Sequence, residues 1–204
     1  MRETLQMKGK TMKSISLANT IIAATVFVLA GSVPAQTDDW RSTSTPVKST
    51  IDGEEAACGR LVGNTEVVVA GKPFLMGLLV RLQPGWRVFS ANPGDTGFPL
   101  NLEWKLPKGF AASHIFWPKA KLVSDGNVHW NVYDEEVLVI CEITPPKDLQ
   151  GKDTVIKAHV QWACENGSMC LRPIDTELTL SLTVGQSEKP ANVPLFEKHK
   201  LEVQ

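Results

Sequence analysis

The sequence predicts an all-β chain, an immunoglobulin-like antiparallel β-sandwich, on three observations. Eight short runs of β-type composition fall between residues 66 and 184, each bounded by Gly, Pro, Asn or Asp. The two clearest, Thr154-Val155-Ile156-Lys157-Ala158-His159-Val160-Gln161-Trp162 and Thr176-Glu177-Leu178-Thr179-Leu180-Ser181-Leu182-Thr183-Val184, alternate polar and apolar residues. That period of two puts one strand face in a core and the other in water. After the first 35 residues no stretch shows a comparable helical period.

The elements follow in chain order. Residues 1–35 carry Arg2, Lys8, Lys10 and Lys13, then an apolar run from Ile15 to Ala30, then Val33-Pro34-Ala35. A basic start, a short apolar stretch and small residues at the end are the parts of a secretory signal peptide, with cleavage expected after Ala35. An uncleaved membrane anchor is the alternative and would be the only route to a membrane. Residues 36–60 open with Ser, Thr and charged side chains and no periodic apolar face, which reads as a tether. The folded domain is expected over 61–185, with strands at 66–70, 74–82, 86–90, 100–106, 129–133, 136–143, 154–162 and 177–184. Residues 186–204 hold Pro190, Pro194 and many charges, with only Val193, Leu195, Phe196 and Leu201 to bury, and read as a tail that forms a strap or short helix.

Composition narrows the function classes. The chain has 204 residues, 43% hydrophobic and 21% charged, which excludes a disordered polyampholyte and a coiled coil. Export would remove four basic groups and one acid, Glu3, from the 21 basic and 22 acidic residues, leaving a net charge of about −4. A mildly acidic domain gives no electrostatic case for nucleic acid or anionic lipid. The remaining 169 residues suffice for one ordinary core.

All four cysteines, Cys58, Cys141, Cys164 and Cys170, follow the signal, so they are expected in an oxidising compartment where paired thiols persist. The most informative segment is Trp162-Ala163-Cys164-Glu165-Asn166-Gly167-Ser168-Met169-Cys170-Leu171-Arg172-Pro173, which joins the two alternating strands. Asn166-Gly167 tolerates positive φ, so the chain can turn back there and bring Cys164 and Cys170 to disulfide distance, roughly 5.5 Å between Cα atoms. Such a bond is either a staple or a reagent. Most cystines in exported proteins are structural, but a loop this short has little entropy to lose, on the order of 2 kcal/mol in the chain-entropy model. An exposed hairpin disulfide is also open to an attacking thiolate.

Around this loop runs an ordered string: Pro84-Gly85-Trp86, Asn92-Pro93-Gly94-Asp95-Thr96-Gly97-Phe98-Pro99, Glu103-Trp104-Lys105-Leu106-Pro107-Lys108-Gly109-Phe110, Phe116-Trp117-Pro118 and Ile143-Thr144-Pro145-Pro146-Lys147-Asp148-Leu149. From about Val67 to Val184 the chain resembles the N-terminal periplasmic (alpha) domain of the thiol:disulfide interchange protein DsbD, together with related domains of copper-sensitivity suppressor proteins. The resemblance implies an immunoglobulin-like fold that passes reducing equivalents through the loop disulfide, with no cofactor. It implies that Cys170 forms the mixed disulfide and Cys164 resolves it, and that Phe116 and Trp117 form an aromatic cap over the pair. Two core aromatics after a strand are the plainer reading of Phe116 and Trp117. Implied partners are thioredoxin-like periplasmic proteins and a membrane-embedded DsbD-like electron donor; whole DsbD proteins add a multi-helix membrane domain and a thioredoxin domain, neither of which is in this sequence, so the donor is expected to be another polypeptide. Two positions depart from the pattern: Arg87 stands where many relatives have His, and Ser90 stands near a usual aromatic.

Other features are weaker. Cys141 lies in the apolar run Val137-Leu138-Val139-Ile140-Cys141, where a buried inert thiol is the default, but secretion disfavours leftover thiols and a second disulfide with Cys58 is the competing expectation. His114, His129, His159 and His199 have no zinc spacing, and no metal is expected. A soft Cu(I) site from Cys164, Met169 and Cys170 is chemically conceivable once the pair is reduced. The second reading of the whole chain is therefore a non-catalytic immunoglobulin-like envelope binding module with a structural loop cystine and an option on copper.

Overall fold

The computed structural model describes residues 41–200, so the expected signal segment at 1–35 and its cleavage after Ala35 lie outside the described residues. The chain enters the fold through β1 (Val47–Ile51) and β2 (Glu54–Gly63), an antiparallel hairpin closed by Asp52-Gly53 with both residues at positive φ. Two left-handed residues make the turn that suits the twist of a hairpin, and Asp-Gly is a favoured pair for it. There follow β3 (Val67–Val69), β4 (Phe74–Leu82), β5 (Arg87–Gly94) and β6 (Asn101–Lys105). The short β7 (Ala111–Ala112) precedes a hairpin of β8 (Lys121–Asp125) and β9 (Val128–Tyr133), and then β10 (Glu136–Thr144). The last strands are β11 (Asp153–Trp162), β12 (Cys164–Glu165) and β13 (Ile174–Gly185), before the helix α1 (Val193–Lys200).

Three sheets result. A five-stranded antiparallel sheet runs β1-β2-β4-β10-β7, and a four-stranded sheet runs β3-β13-β11-β6 with only the β3–β13 pair parallel. The third, β12-β5-β9-β8, carries the loop that holds Cys164 and Cys170. One core cluster joins the inner faces of the first two sheets: Met76, Leu78 and Val80 of β4 and Val137, Val139 and Ile143 of β10 meet Ile156, Val160 and Trp162 of β11 and Leu178, Leu180 and Leu182 of β13. The period-two pattern of β11 and β13 is the imprint of that single buried face, since their alternate residues are exposed. All-β, antiparallel and sandwich-like, the fold is of the immunoglobulin-like class expected.

The eight expected strands are all present within a few residues of their predicted ends, but the N-terminal flank differs from expectation. Residues 47–60 of the expected tether belong to the fold instead: they form β1 and most of β2, in which Ala56 and Ala57 are buried and which pairs along β4. The C-terminal segment forms a short helix, one of the two forms expected of it, and docks on the fold. The outer face of the five-stranded sheet carries Val62, Leu79, Leu138 and Ile140, and α1 covers it with the buried ring of Phe196. This second buried face explains why β4 and β10 read as nearly unbroken apolar runs. The helix is also held by charge, because the Glu136 carboxylate receives Arg81 Nε at 2.6 Å, Lys198 Nζ at 3.1 Å and His199 Nε2 at 3.1 Å.

Gly59 of β2 marks the tightest meeting of the two main sheets. A Cβ there would sit 2.5 Å from Cη2 of Trp162, whose side chain is fully buried and has no room to yield. Gly59→Ala is expected to destabilise the fold by about 1–3 kcal/mol through overpacking, read as a lower denaturant midpoint with an unchanged slope.

The Glu136 cluster predicts an acid response. The hydrogen bond from His199, together with Arg81 and Lys198, holds the Glu136 carboxyl well below the usual carboxylate range despite its burial. A depressed folded-state pKa gives stability that is present above the unfolded value, about 4.3, and is lost as pH falls below it. Glu136→Gln is therefore expected to lower the unfolding midpoint near neutral pH and to converge on the unsubstituted chain in acid; parallel midpoint curves across that range would contradict the assignment.

Candidate functional site: the Cys164–Cys170 hairpin

β11 ends at the buried Trp162, and after one residue the chain changes sheets to pair with β5, Cys164 opposite Val88 and Glu165 opposite Arg87. It then reverses. The Glu165–Cys170 bridge and the hydrogen bond from Leu171 N to Cys164 O at 2.8 Å close a small hairpin. Its turn is built by Asn166, whose Oδ1 accepts from Ser168 N and Met169 N, each at 3.0 Å, the local side-chain turn that Asn forms readily. Glu165 braces the arrangement, accepting from Gly167 N at 2.6 Å and from the fork of Arg87, whose Nε and Nη2 each reach one carboxylate oxygen. Arg87, a departure from the family pattern, is thus the partner of a loop residue.

This hairpin sets the two cysteines apart in kind. The structure holds both as free thiols rather than as the expected disulfide: Glu165, not Cys164, stands opposite Cys170, so Cys164 lies one position out of register with it. Cys164 is fully buried within the main core cluster, and Cys170 is exposed. Burial pushes the Cys164 thiol above its ordinary pKa; the hydroxyl of Ser49 and the Trp162 indole pull it back, and the neighbouring Cys170 pushes it further up. Ser49 belongs to β1, is itself buried, and its Oγ accepts a hydrogen bond from Trp162 Nε1 at 3.0 Å.

The other predicted residues lie elsewhere. Cys58 on β2 is opposite Arg81 of β4, and Cys141 on β10 is opposite Met76 of the same strand. Arg81 and Met76 are five positions apart, about 17 Å along a strand, so the expected Cys58–Cys141 disulfide is ruled out by register, and both are buried thiols. Cys141 fits the inert alternative: burial raises its pKa, and its sulfur lies 3.7 Å from Ser113 Oγ. Neither Phe116 nor Trp117 lines the pocket beside Cys170. Phe116 is tied to Ile140 by two backbone hydrogen bonds of 2.8 and 3.1 Å and packs with the outer cluster near α1, whereas Trp117 packs against the main core.

What borders Cys170 instead is a pocket of about 430 Å³ walled by Phe89 of β5, Thr96, and Val123 and Trp130 of the β8–β9 hairpin. That wall is fixed to the Asn92–Pro99 segment: Trp130 Nε1 donates to Thr96 Oγ1 at 3.1 Å, and Asp95 Oδ2 accepts from His129 N at 2.8 Å. Among the described residues no group of three or more His, Cys, Asp or Glu could hold a metal ion. Ser49 is the site residue that the sequence reading missed, and the signal for it was the Asp52-Gly53 turn, which announces a hairpin on either side.

In the chain held as thiols, Cys170 is expected to react quickly with a soluble thiol reagent while Cys58, Cys141 and Cys164 react only on unfolding. Labelling followed by peptide mass mapping reads the order, and Cys170→Ala should abolish the fast phase.

Comparison with known proteins matches residues 61–182 to the family described as thiol:disulfide interchange protein DsbD, N-terminal. No curated protein matches. Among solved structures, the N-terminal periplasmic domain of ScsB from Proteus mirabilis superposes with a TM-score of 0.53 at 18% identity, over 80% of this chain and 60% of that one, so the chain spans less than two thirds of its length. The DsbD N-terminal domain of Neisseria meningitidis in the reduced form matches at 16% identity over 63% of this chain and 90% of that one, with a TM-score of 0.38. The complex between the DsbD and PilB N-terminal domains of the same organism matches at 18% identity over 58% and 80%, with a TM-score of 0.34. The match runs from the end of β2 into β13 and includes the hairpin between Cys164 and Cys170, and on it the chain belongs to the DsbD N-terminal domain family, which takes part in thiol-disulfide exchange.

Proposed function

We propose that this chain is a periplasmic thiol-disulfide exchange module that relays reducing equivalents between thioredoxin-like proteins through Cys164 and Cys170, receiving them from a separate membrane-embedded donor. The observation that carries the reading is the inequality of the two sulfurs within one short hairpin, one exposed and one fully buried. Exchange needs one sulfur that a partner can reach in line and a second that only its own neighbour can reach. A structural staple needs neither, and it gains little from closing so short a loop.

In the oxidised domain a partner thiolate attacks Cys170 Sγ. The partner–Cys170 bond forms as the Cys170–Cys164 bond breaks, and the electron pair leaves on the Cys164 sulfur, which takes a proton. The partner's second thiolate then attacks its own sulfur in the mixed disulfide, releasing Cys170 as thiolate and leaving the partner oxidised and this domain a dithiol. The reverse sequence passes the two electrons to an acceptor disulfide: Cys170 attacks, and Cys164 resolves. The two cysteines lie one ladder position apart in the same short hairpin, the exposed sulfur on its outer arm. The pocket beside the reactive sulfur gives the approaching partner a mixed surface, with Phe89, Val123 and Trp130 set among Arg87, Asp125 and Glu165.

The test is a trap. With Cys164→Ser, the Cys170 thiolate should attack the disulfide of an oxidised thioredoxin-like partner, release that partner's second sulfur as a thiol and, with no Cys164 to resolve it, accumulate as a mixed disulfide visible as a reducible adduct by mass, whereas Cys170→Ser should give none. A loop disulfide that yields to the donor only after the domain is unfolded would sink the relay and leave the structural cystine.

A further inference from the structure

We propose that Arg87 is a positioning residue for this exchange: by forking onto Glu165 it cancels the carboxylate that stands beside Cys170, so that an anionic sulfur can approach. The inference rests on the exchange reading above and adds to it the charge that the reactive cysteine faces.

The geometry is a row of side chains across three chain segments. Glu165 pairs with Arg87 of β5 on one side and with Cys170 on the other. Residues directly opposite in an antiparallel ladder point to the same face, so Arg87, Glu165 and Cys170 stand side by side, with neighbouring Cβ atoms about 5 Å apart. Cys164 and Val88, one position along, belong to the core face instead. All three members of the row line the same pocket. Arg87 takes both carboxylate oxygens, Nε on Oε1 and Nη2 on Oε2, the latter at 3.3 Å. The two side chains are only 24% and 12% exposed, so the pair is weakly screened. Gly167 N donates to the same carboxylate at 2.6 Å, and a Cβ on Gly167 would stand 3.6 Å from Arg87 Nη2. The guanidinium therefore lies along the turn between the two cysteines.

The chemistry makes that cancellation matter. Attack by a partner thiolate brings negative charge to Cys170 Sγ and spreads it over the attacking, central and leaving sulfurs. When the partner's second thiolate resolves the mixed disulfide, the bond to Cys170 breaks and Cys170 departs as a thiolate. A bare Glu165 carboxylate one strand away would repel the charge in each step, at a separation where unit charges interact appreciably even in a solvated site. Asp125 lies across the pocket, so without Arg87 the charged lining would be two carboxylates and no cation.

The experiment separates charge cancellation from bracing. Breaking the pair from either side removes the same brace but leaves opposite charges behind. In the chain carrying Cys164→Ser, the Cys170 thiolate attacks a small disulfide reagent, forming a mixed disulfide and releasing the other half as a thiolate followed by its absorbance. The rate is measured with an aromatic disulfide bearing carboxylates and with a neutral dipyridyl disulfide, and the anionic-to-neutral ratio cancels the intrinsic reactivity of the thiol. Arg87→Gln should lower this ratio about fivefold and Glu165→Gln should raise it about fivefold. The double variant should return it to the parent value, and the differences should shrink in about 1 M salt. With both loop cysteines present, Arg87→Gln should slow reduction by a thioredoxin-like donor by a similar factor, and adding Glu165→Gln should restore it. If Arg87→Gln does not fold, Glu165→Gln, which keeps an acceptor for Gly167 N, carries the test through its raised ratio. Single variants that move the ratio in the same direction, or leave it unchanged, overturn the proposal. Ratios that split as expected in a chain that no donor reduces overturn the exchange reading, and with it the role of Arg87 in exchange; unsplit ratios in a chain that exchanges well overturn Arg87 alone.

Discussion

The burial of the Trp162 indole is the contact on which the rest of the structure depends. It stands at the end of β11, in the last position before the chain changes sheets, and it touches each part that must be held in relation. Its ring fills the space that the missing Cβ of Gly59 leaves in the five-stranded sheet. Its N–H is satisfied by Ser49 of β1, and two residues later comes Cys164. An aromatic side chain of this size contributes a large buried area, but its polar nitrogen must find a partner or the burial becomes costly. The β1–β2 hairpin supplies both the space and the partner, so the packing of the two main sheets and the placement of the buried cysteine are one constraint.

That coupling explains which parts of the molecule were legible in the sequence. The strands β11 and β13 declare themselves because they are buried on one face only, and β4 and β10 because they are apolar throughout. The turn between Cys164 and Cys170 is equally plain, since Asn166-Gly167 has few other uses. β1 and β2 were hidden for a physical reason. β1 is an edge strand with Lys48 and Thr50 exposed and only Ser49 buried, and its core-facing side chain is a polar one that matters for what it bonds to. Hydrophobic periodicity is blind to a buried hydroxyl. A short helix was among the forms expected at the C-terminal end, but its docking place was hidden, because only Phe196 and His199 of the eight residues of α1 are buried and its attachment to Glu136 is electrostatic and distant in sequence.

The misplaced cap shows a different limit. Phe116 and Trp117 are aromatic and lie at a suggestive point in the chain, but residue type does not say which side of a sheet a loop will cross. Backbone pairing with Ile140 commits Phe116 to the outer face near α1, while the wall beside Cys170 is made by Trp130 and Val123 of a hairpin only half visible in the sequence. The same holds for Cys58 and Cys141. Parity suggested a bond between them, and register along β4 separates them.

The proposed chemistry divides its labour between the rim of the fold and its core. The exposed Cys170 sits on a hairpin braced by Asn166 and by the partly buried Arg87–Glu165 pair. Cys164 belongs to the core, where a displaced side chain would disturb Trp162 and, through it, both main sheets. Motion needed to make and break a disulfide is therefore assigned to the cysteine that can move at little cost. The cysteine that cannot move is the one whose leaving charge must be stabilised from fixed positions, and preorganised donors serve such a charge best because nothing has to rearrange when it appears. The β1–β2 hairpin, which holds the Trp162 indole through Ser49 and receives its ring at Gly59, is thereby part of what keeps the neighbouring core cysteine fixed.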